Sequence, residues 1–103
     1  MRSGERGYYS DPPLLVLASL AEGPKHGYAM ITDIEQMSGT RLGPGALYGA
    51  ITRLERQGLI ARLDERDRRQ PYRITPEGRK VLRARLETLR AFSHVGLKRL
   101  GAT

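Results

Sequence analysis

Residues Arg41 to Ile60 read RLGPGALYGAITRLERQGLI, and the proline and glycines in this stretch mark out a central helix. Proline suits the first position of a helix and glycine commonly follows a helix end, so a helix is predicted from Pro44 to Gly58. Its buried stripe is predicted at Leu47, Ile51 and Leu54, which recur at helical spacing. The opposite side begins with glycine and alanine and becomes basic only later. The backbone of its first turns is therefore open to close approach by another molecule.

Two more helices are predicted before this one. The first starts at Asp11-Pro12-Pro13, an N-cap followed by proline, and stops at Gly23-Pro24. It is apolar nearly all round, so we expect it deep in the core. The second runs from about Tyr28 to Ser38, with Asp33, Glu35 and Gln36 expected in water and a buried stripe at Met30, Ile31, Ile34 and Met37.

The pattern changes after Gly58. Residues 59–63 and 71–75 read as two short strands, and the charged segment 64–70 joins them into a hairpin. Thr75 then caps a last helix, which has Pro76 at its first position and continues to about Leu100.

This order of elements predicts a mainly α (α+β) fold: a winged helix-turn-helix with a two-stranded wing and a C-terminal dimerisation helix. We assign residues 1–10 to a loose polar arm, 11–75 to the winged helix-turn-helix and 76–103 to the last helix. That helix has an apolar side that its own chain does not cover, so we expect it to pair in a homodimer. The predicted dimerisation residues are Leu82, Leu86, Leu89, Phe92 and Leu97.

Composition narrows the class of protein. The 103 residues carry a net charge of +7 and a pI of about 10.4, which is typical of a polyanion binder. Residues 1–50 have four lysines and arginines against five acidic residues, whereas residues 51–103 have fourteen against six. Because there is no cysteine, disulfides and thiolate metal sites are excluded. No apolar run is long enough to be a signal peptide or membrane span, and a cytoplasmic location is expected.

Double-stranded DNA is the polyanion that this arrangement suits. In a helix-turn-helix the second helix enters the major groove with its N-terminal end towards the bases. Tyr48 is the one large side chain there, and we expect it to contact DNA. Arg53 and Arg56 come later and are expected to reach phosphates. Three arginines on the short flexible loop of the hairpin are placed to reach phosphates or the minor groove, although acidic neighbours weaken their field: Arg66, Arg68 and Arg69.

Several residues have plainer interpretations. His26 is expected either to contact phosphate or to cap the second helix, and His94 to face solvent. Tyr28 and Tyr72 are expected to be partly buried with exposed hydroxyls. Tyr8 and Tyr9 are interpreted as part of a DNA-tracking arm, a contact to the partner or a disordered tail.

Two other classes of function compete with DNA binding. A winged-helix module that binds proteins and not DNA is the main alternative, and the basic second half of the chain argues against it. No nucleophile–base pair, paired carboxylates, phosphate-binding loop or metal-ligand cluster appears, so neither an enzyme, nor a metal site, nor a cofactor is predicted.

Three blocks of sequence resemble the PadR family of regulators over about residues 14–82. They are LxxLAEGPxHGY from Leu17, RLGPGALYGAIxRLExxGLI from Arg41, and RRxxYRITPEGR from Arg68. The resemblance implies a bacterial winged-helix dimer, usually a repressor, of the small subfamily with one dimerisation helix. The predicted DNA-binding residues are Lys25, His26, Tyr28, Pro44, Gly45, Tyr48, Gly49, Arg53, Arg66, Arg68 and Arg69.

Some small members of that family bind planar drugs between aromatic residues at the dimer interface. This chain has no tryptophan and one phenylalanine, so a drug-sensing role is not supported. It also has Gly49 where many family members have proline. The sequence leaves open whether a small-molecule effector or another gene product controls the protein.

Overall fold

The computed structural model describes residues 10–101, which form four helices and a small antiparallel sheet. In chain order the elements are α1 (Pro12–Ala21), β1 (Lys25–His26), α2 (Gly27–Ser38), α3 (Pro44–Arg56), β2 (Ile60–Arg62), β3 (Pro71–Ile74) and α4 (Pro76–Arg99). The predicted winged helix-turn-helix is confirmed. The arm lies almost wholly outside the described residues, with both Tyr8 and Tyr9.

Side-chain caps begin three of the helices. Asp11 accepts a hydrogen bond from the Leu14 amide at 3.3 Å, and the Thr75 hydroxyl accepts one from the Gly78 amide at 3.0 Å. Proline occupies the first turn of α1, α3 and α4, where a missing N–H costs nothing. The capping residues and prolines that predicted these helix starts therefore have the same roles in the structure.

The sheet has three strands in the order β1-β3-β2, whereas two were predicted. β2 and β3 pair as the expected hairpin, with Ile60 opposite Ile74. The added strand is only two residues long, and it pairs Lys25 with Tyr72. The start of α2 is thereby joined directly to the wing.

The core lies between α1, α2, α3 and the inner face of the sheet. The second predicted stripe is wrong at its end, because Met37 is 46% exposed. Tyr72 is buried as part of the core, while Tyr28 is 71% exposed and not partly buried as expected. The core residues are Leu14, Leu15, Val16, Leu17, Leu20, Met30, Ile31, Ile34, Leu42, Leu47, Ala50, Ile51, Leu54, Ile60, Tyr72, Ile74 and Leu82.

The first two turns of α4 pack on the body of the protein and the rest extends beyond it. Leu82 is 6% exposed and belongs to the core, so its assignment to a dimer contact was wrong. From Leu86 onwards the large apolar side chains are uncovered, and Phe92 is 73% exposed. His94 faces solvent as predicted. No helix among residues 10–101 combines the length and apolar character needed to cross a membrane.

Candidate nucleic-acid interface

The exposed face of α3 is a strip of small residues between two larger ones. Leu47 and Ile51 are buried on the inner side, while Gly45 and Gly49 are exposed. At about 100° per residue, the two glycines lie between Tyr48 on one side and Arg53 on the other. Ala50 is buried in the core.

Tyr48 lies on the side of α3 that faces the start of α2. Its ring packs against Gly27, the first residue of α2, and the side chain remains 48% exposed. Tyr28, the next residue of α2, is more exposed still. Two tyrosines are thus presented near the junction of the helices, each with a hydroxyl that can donate or accept a hydrogen bond.

Arg53 lies on the other side of the strip, towards α1 and α4. There it borders a surface depression together with Asp11, Arg85 and Gln57. Asp11 and Arg85 form an ion pair at 2.7 Å across this depression. Arg53 is therefore at the edge of the exposed face and not at its centre.

Thr52 and Arg56 continue the exposed strip into the second half of α3. Thr52 was missed by the sequence-based prediction. The signal that could have found it is spacing, since it follows Tyr48 by four residues and so lies one turn later on the same side.

The wing tip is a two-residue turn that closes the β2–β3 hairpin. The Arg66 amide donates to the Arg69 carbonyl at 2.9 Å, and the Arg69 amide donates back at 2.8 Å. Asp67 and Arg68, between them, have φ angles of +50° and +62°. The tip was expected to be a flexible loop, but these bonds hold it in a regular turn whose arginine side chains are exposed.

His26 connects the wing to α2. Its Nδ1 accepts from the Ala29 amide at 3.4 Å, which confirms the predicted helix cap, and its Nε2 lies 3.1 Å from Nη1 of Arg69. A neutral imidazole has one lone pair, so it satisfies only one of these donors at a time. The Arg69 guanidinium keeps further N–H groups for a phosphate.

Lys25 does not belong to this surface. Its ammonium donates to the Ser19 carbonyl at 2.6 Å and lies 3.0 Å from the Glu22 carboxylate, and its side chain is 15% exposed. Asp33 accepts from the buried Ser19 hydroxyl at 2.6 Å beside it and does not simply face water. The predicted DNA contact at Lys25 is therefore wrong, because its charge is used inside the α1–α2 connection.

One ion pair joins α3 to the wing. Arg62 on β2 donates to Glu55 at 2.8 Å, and this hydrogen bond raises the pKa of Arg62. Tyr72 lies opposite Arg62 on β3, and burial raises the pKa of its phenol. Because the ion pair engages Arg62, this guanidinium is less available to a phosphate than the arginines at the wing tip.

No group of three or more histidine, cysteine, aspartate or glutamate side chains within residues 10–101 could hold a metal ion. The arrangement offers instead a bare helix face, two exposed tyrosines and a turn with three arginines. These are groups that bind backbone phosphates and groove edges.

Comparison with known proteins gives a consistent result. Residues 16–84 match the model of the transcriptional regulator PadR-like family. The chain is 35% identical over 91 residues to a transcriptional regulator of Mycobacterium tuberculosis, covering 85% of this chain and 81% of that protein. It is also similar to the structure of a transcriptional regulator from Clostridium thermocellum, with a TM-score of 0.75, 31% identity and coverage of 94% of this chain and 97% of the other.

A longer protein contains a similar segment. An uncharacterised 37.1 kDa protein in transposon TN4556 of Streptomyces fradiae is 53% identical over 73 residues, which are 71% of this chain. The match spans only 21% of that relative's length.

Proposed function

The chain belongs to the PadR-like family of transcriptional regulators, and we propose that it acts as a homodimeric repressor on a pseudo-palindromic operator. Members of the family are regulators and not enzymes, in agreement with the lack of catalytic motifs. In the proposed complex α3 enters the major groove, the wing tip meets the neighbouring phosphates, and α4 holds two copies together.

The outer face of α3 carries this proposal. A Cβ added at Gly45 or Gly49 would meet no atom within 4 Å, and neither glycine has the positive φ that would require it. Glycine inside a helix costs up to about 1 kcal/mol relative to alanine. The packing and backbone of the described residues therefore give no reason for these glycines, whereas close approach of α3 to DNA does.

The wing supplies the charge that positions such a helix. Arg66, Arg68 and Arg69 lie on one tight turn, and the His26 contact places Arg69 beside the start of α2. Phosphate contacts of this kind fix the register of a protein on DNA but carry no sequence information. Specificity is thus assigned to Tyr48, to the bare strip and to the spacing of two half-sites.

The uncovered part of α4 supports dimerisation. This helix has 24 residues and is about 36 Å long. The groove between α4 and α1 is apolar. Leu14, Leu15 and Ala18 of α1 and Met37 of α2 line one side, and Leu86, Leu89 and Phe92 line its α4 side. A second copy that presents the same face would cover both grooves at once, as two-fold symmetry requires.

The test is a gel-shift titration against the promoter DNA of its own gene, with a random duplex of equal length as control. We expect tighter binding to the promoter, one dimer per site, and affinity that falls steeply with salt because bound counterions are released. In a reporter assay the bound dimer should lower transcription. Equal affinity for both duplexes would contradict operator binding and favour the protein-interaction module.

A further inference from the structure

Gly27 and Tyr48 form a contact that neither helix needs for its own structure. Gly27 is the first residue of α2 and has no positive φ, so its backbone does not require glycine. A Cβ at this position would overlap the Tyr48 hydroxyl oxygen and lie 2.9 Å from Cζ of the same ring. The tip of the Tyr48 ring therefore occupies the space that a larger residue would fill.

This contact lies at the end of a side chain that is still half exposed. A tyrosine ring has only two side-chain torsions, and contact at its far end restricts both. If an alanine Cβ replaced the hydrogen of Gly27, the rigid ring could clear it only by turning away from α2. The Leu47 side chain, whose Cδ2 would lie 3.4 Å from that Cβ, limits the room to adjust on the inner side.

The same point of the fold also locates the wing. His26, the neighbouring residue, caps α2 and contacts Arg69 at 3.1 Å. His26 thus contacts Arg69 of the wing, and Gly27 contacts Tyr48 of α3. The wing and α3 are the two elements that the proposed function places on DNA.

We infer that Gly27 is a positioning residue for DNA recognition, because the space left by its missing side chain admits the Tyr48 phenol in the orientation that meets the DNA. The inference rests on the proposed function and adds a specificity-determining role for a residue that need not touch DNA itself. The alternative is that Gly27 only allows α2 and α3 to pack closely.

A double-mutant cycle separates these two roles. The probe is a duplex of about 30 base pairs, long enough for two half-sites one turn apart, recovered by selection with the wild-type protein from a randomised pool. Fluorescence anisotropy measures affinity for it and for an unselected duplex. We expect Gly27→Ala to weaken binding to the selected duplex about tenfold and Tyr48→Phe to weaken it about three- to tenfold, the scale of one lost hydrogen bond. The double variant should bind only slightly more weakly than Tyr48→Phe, because phenylalanine lacks the overlapping oxygen and leaves only the 2.9 Å approach of Cζ to be relieved.

Tyr28 provides the matched control. It is the other exposed tyrosine of this junction, whereas the hydroxyl that a Cβ at Gly27 would overlap belongs to Tyr48. Tyr28→Phe should therefore fail to rescue Gly27→Ala. Thermal unfolding of every variant reports stability separately from DNA binding.

The outcomes distinguish the inference from the function on which it rests. If selection recovers no preferred duplex, the proposed operator binding fails. If a duplex is recovered but Gly27→Ala binds it like the wild type, or costs the same affinity in the wild-type and Tyr48→Phe backgrounds, the positioning role is overturned. Should Gly27→Ala fail to fold, 3-fluorotyrosine at Tyr48 of the wild-type protein gives an independent measure. A restrained ring is expected to give a fluorine chemical shift and relaxation rate that differ from those of the unfolded protein, and unfolded-like values would contradict the inference.

Discussion

Gly45 and Gly49 allow protein stability to be separated from DNA binding at single positions. Replacing either by alanine should raise the free energy of unfolding, by up to about 1 kcal/mol, because alanine is the better helix former and the added Cβ meets nothing. The same methyl group should weaken operator binding, since it holds the α3 backbone away from the groove. Thermal melts and anisotropy titrations measure the two effects.

Thr88→Ala is the control for these glycine variants. It improves helix propensity at an exposed position of α4 and should raise stability without the loss of affinity. If Gly45→Ala and Gly49→Ala bind the operator as tightly as the wild type, the bare strip is not a DNA-contacting surface.

Lys25 and Arg69 carry the same charge but should behave differently. Lys25→Ala removes a charged hydrogen bond to Ser19 and should lower stability by about 1–3 kcal/mol. The salt dependence of DNA binding should not change. Arg69→Ala should leave stability nearly unaltered and reduce the slope of log affinity against log salt by about 0.9 for each lost phosphate contact. If Lys25→Ala reduced the slope of log affinity against log salt, Lys25 would have to break its contacts within the protein and contact a phosphate when DNA binds.

The secondary structure was largely predictable because proline, glycine and capping residues mark its boundaries. Strand β1 was not, since two residues become a strand only when β3 lies beside them. The orientation of Lys25 and the exposure of Tyr28 also depend on how α1, α2 and the wing pack together. Helical spacing finds the inner side of α3, but it cannot say which neighbour covers each edge of the outer side. Spacing alone therefore does not show that Arg53 borders a depression beside Asp11 and Arg85.

The junction of β2, β3 and α4 depends on a glycine that the packing does require. A Cβ at Gly78 would overlap the Leu59 carbonyl oxygen and lie 2.8 Å from the Ile74 side chain. Gly78→Ala should therefore destabilise the protein by more than about 2 kcal/mol, the scale of forced core strain. Gly45→Ala is the matched substitution and should change the melting temperature in the opposite direction. Equal melting temperatures for Gly78→Ala and the wild type would contradict this account of the junction.

The wing turn stores a small strain that can be released. Arg68 has a left-handed backbone, which costs about 1 kcal/mol for a residue with a Cβ. Arg68→Gly and Arg68→Ala remove the same charge, so both should weaken DNA binding equally. Only the glycine variant relieves the strain, and it should melt at a higher temperature than the alanine variant. If the two variants melt together, the turn imposes no strain at this position.

Helix α4 connects the core of one copy to the proposed contact with a second copy. The first turns of this helix belong to the core of one copy, and the exposed remainder forms the proposed contact with a second copy. The distance between two α3 helices on DNA is then set by the pairing of α4, and not by contacts within one copy. A dimer that binds operator should therefore melt at a temperature that rises with protein concentration.

Phe92→Glu tests this link. A carboxylate on the apolar face should cost more than about 2 kcal/mol of dimerisation free energy, as is usual for a buried aromatic anchor. Analytical ultracentrifugation should show a monomer, circular dichroism should show retained helices, and operator affinity should fall because one half-site is lost. Ala91→Glu adds the same charge at an exposed position on the other side of α4 and should leave the dimer intact. A Phe92→Glu protein that sediments as a dimer would show that the copies pair through another surface, and that the uncovered face of α4 serves a different partner.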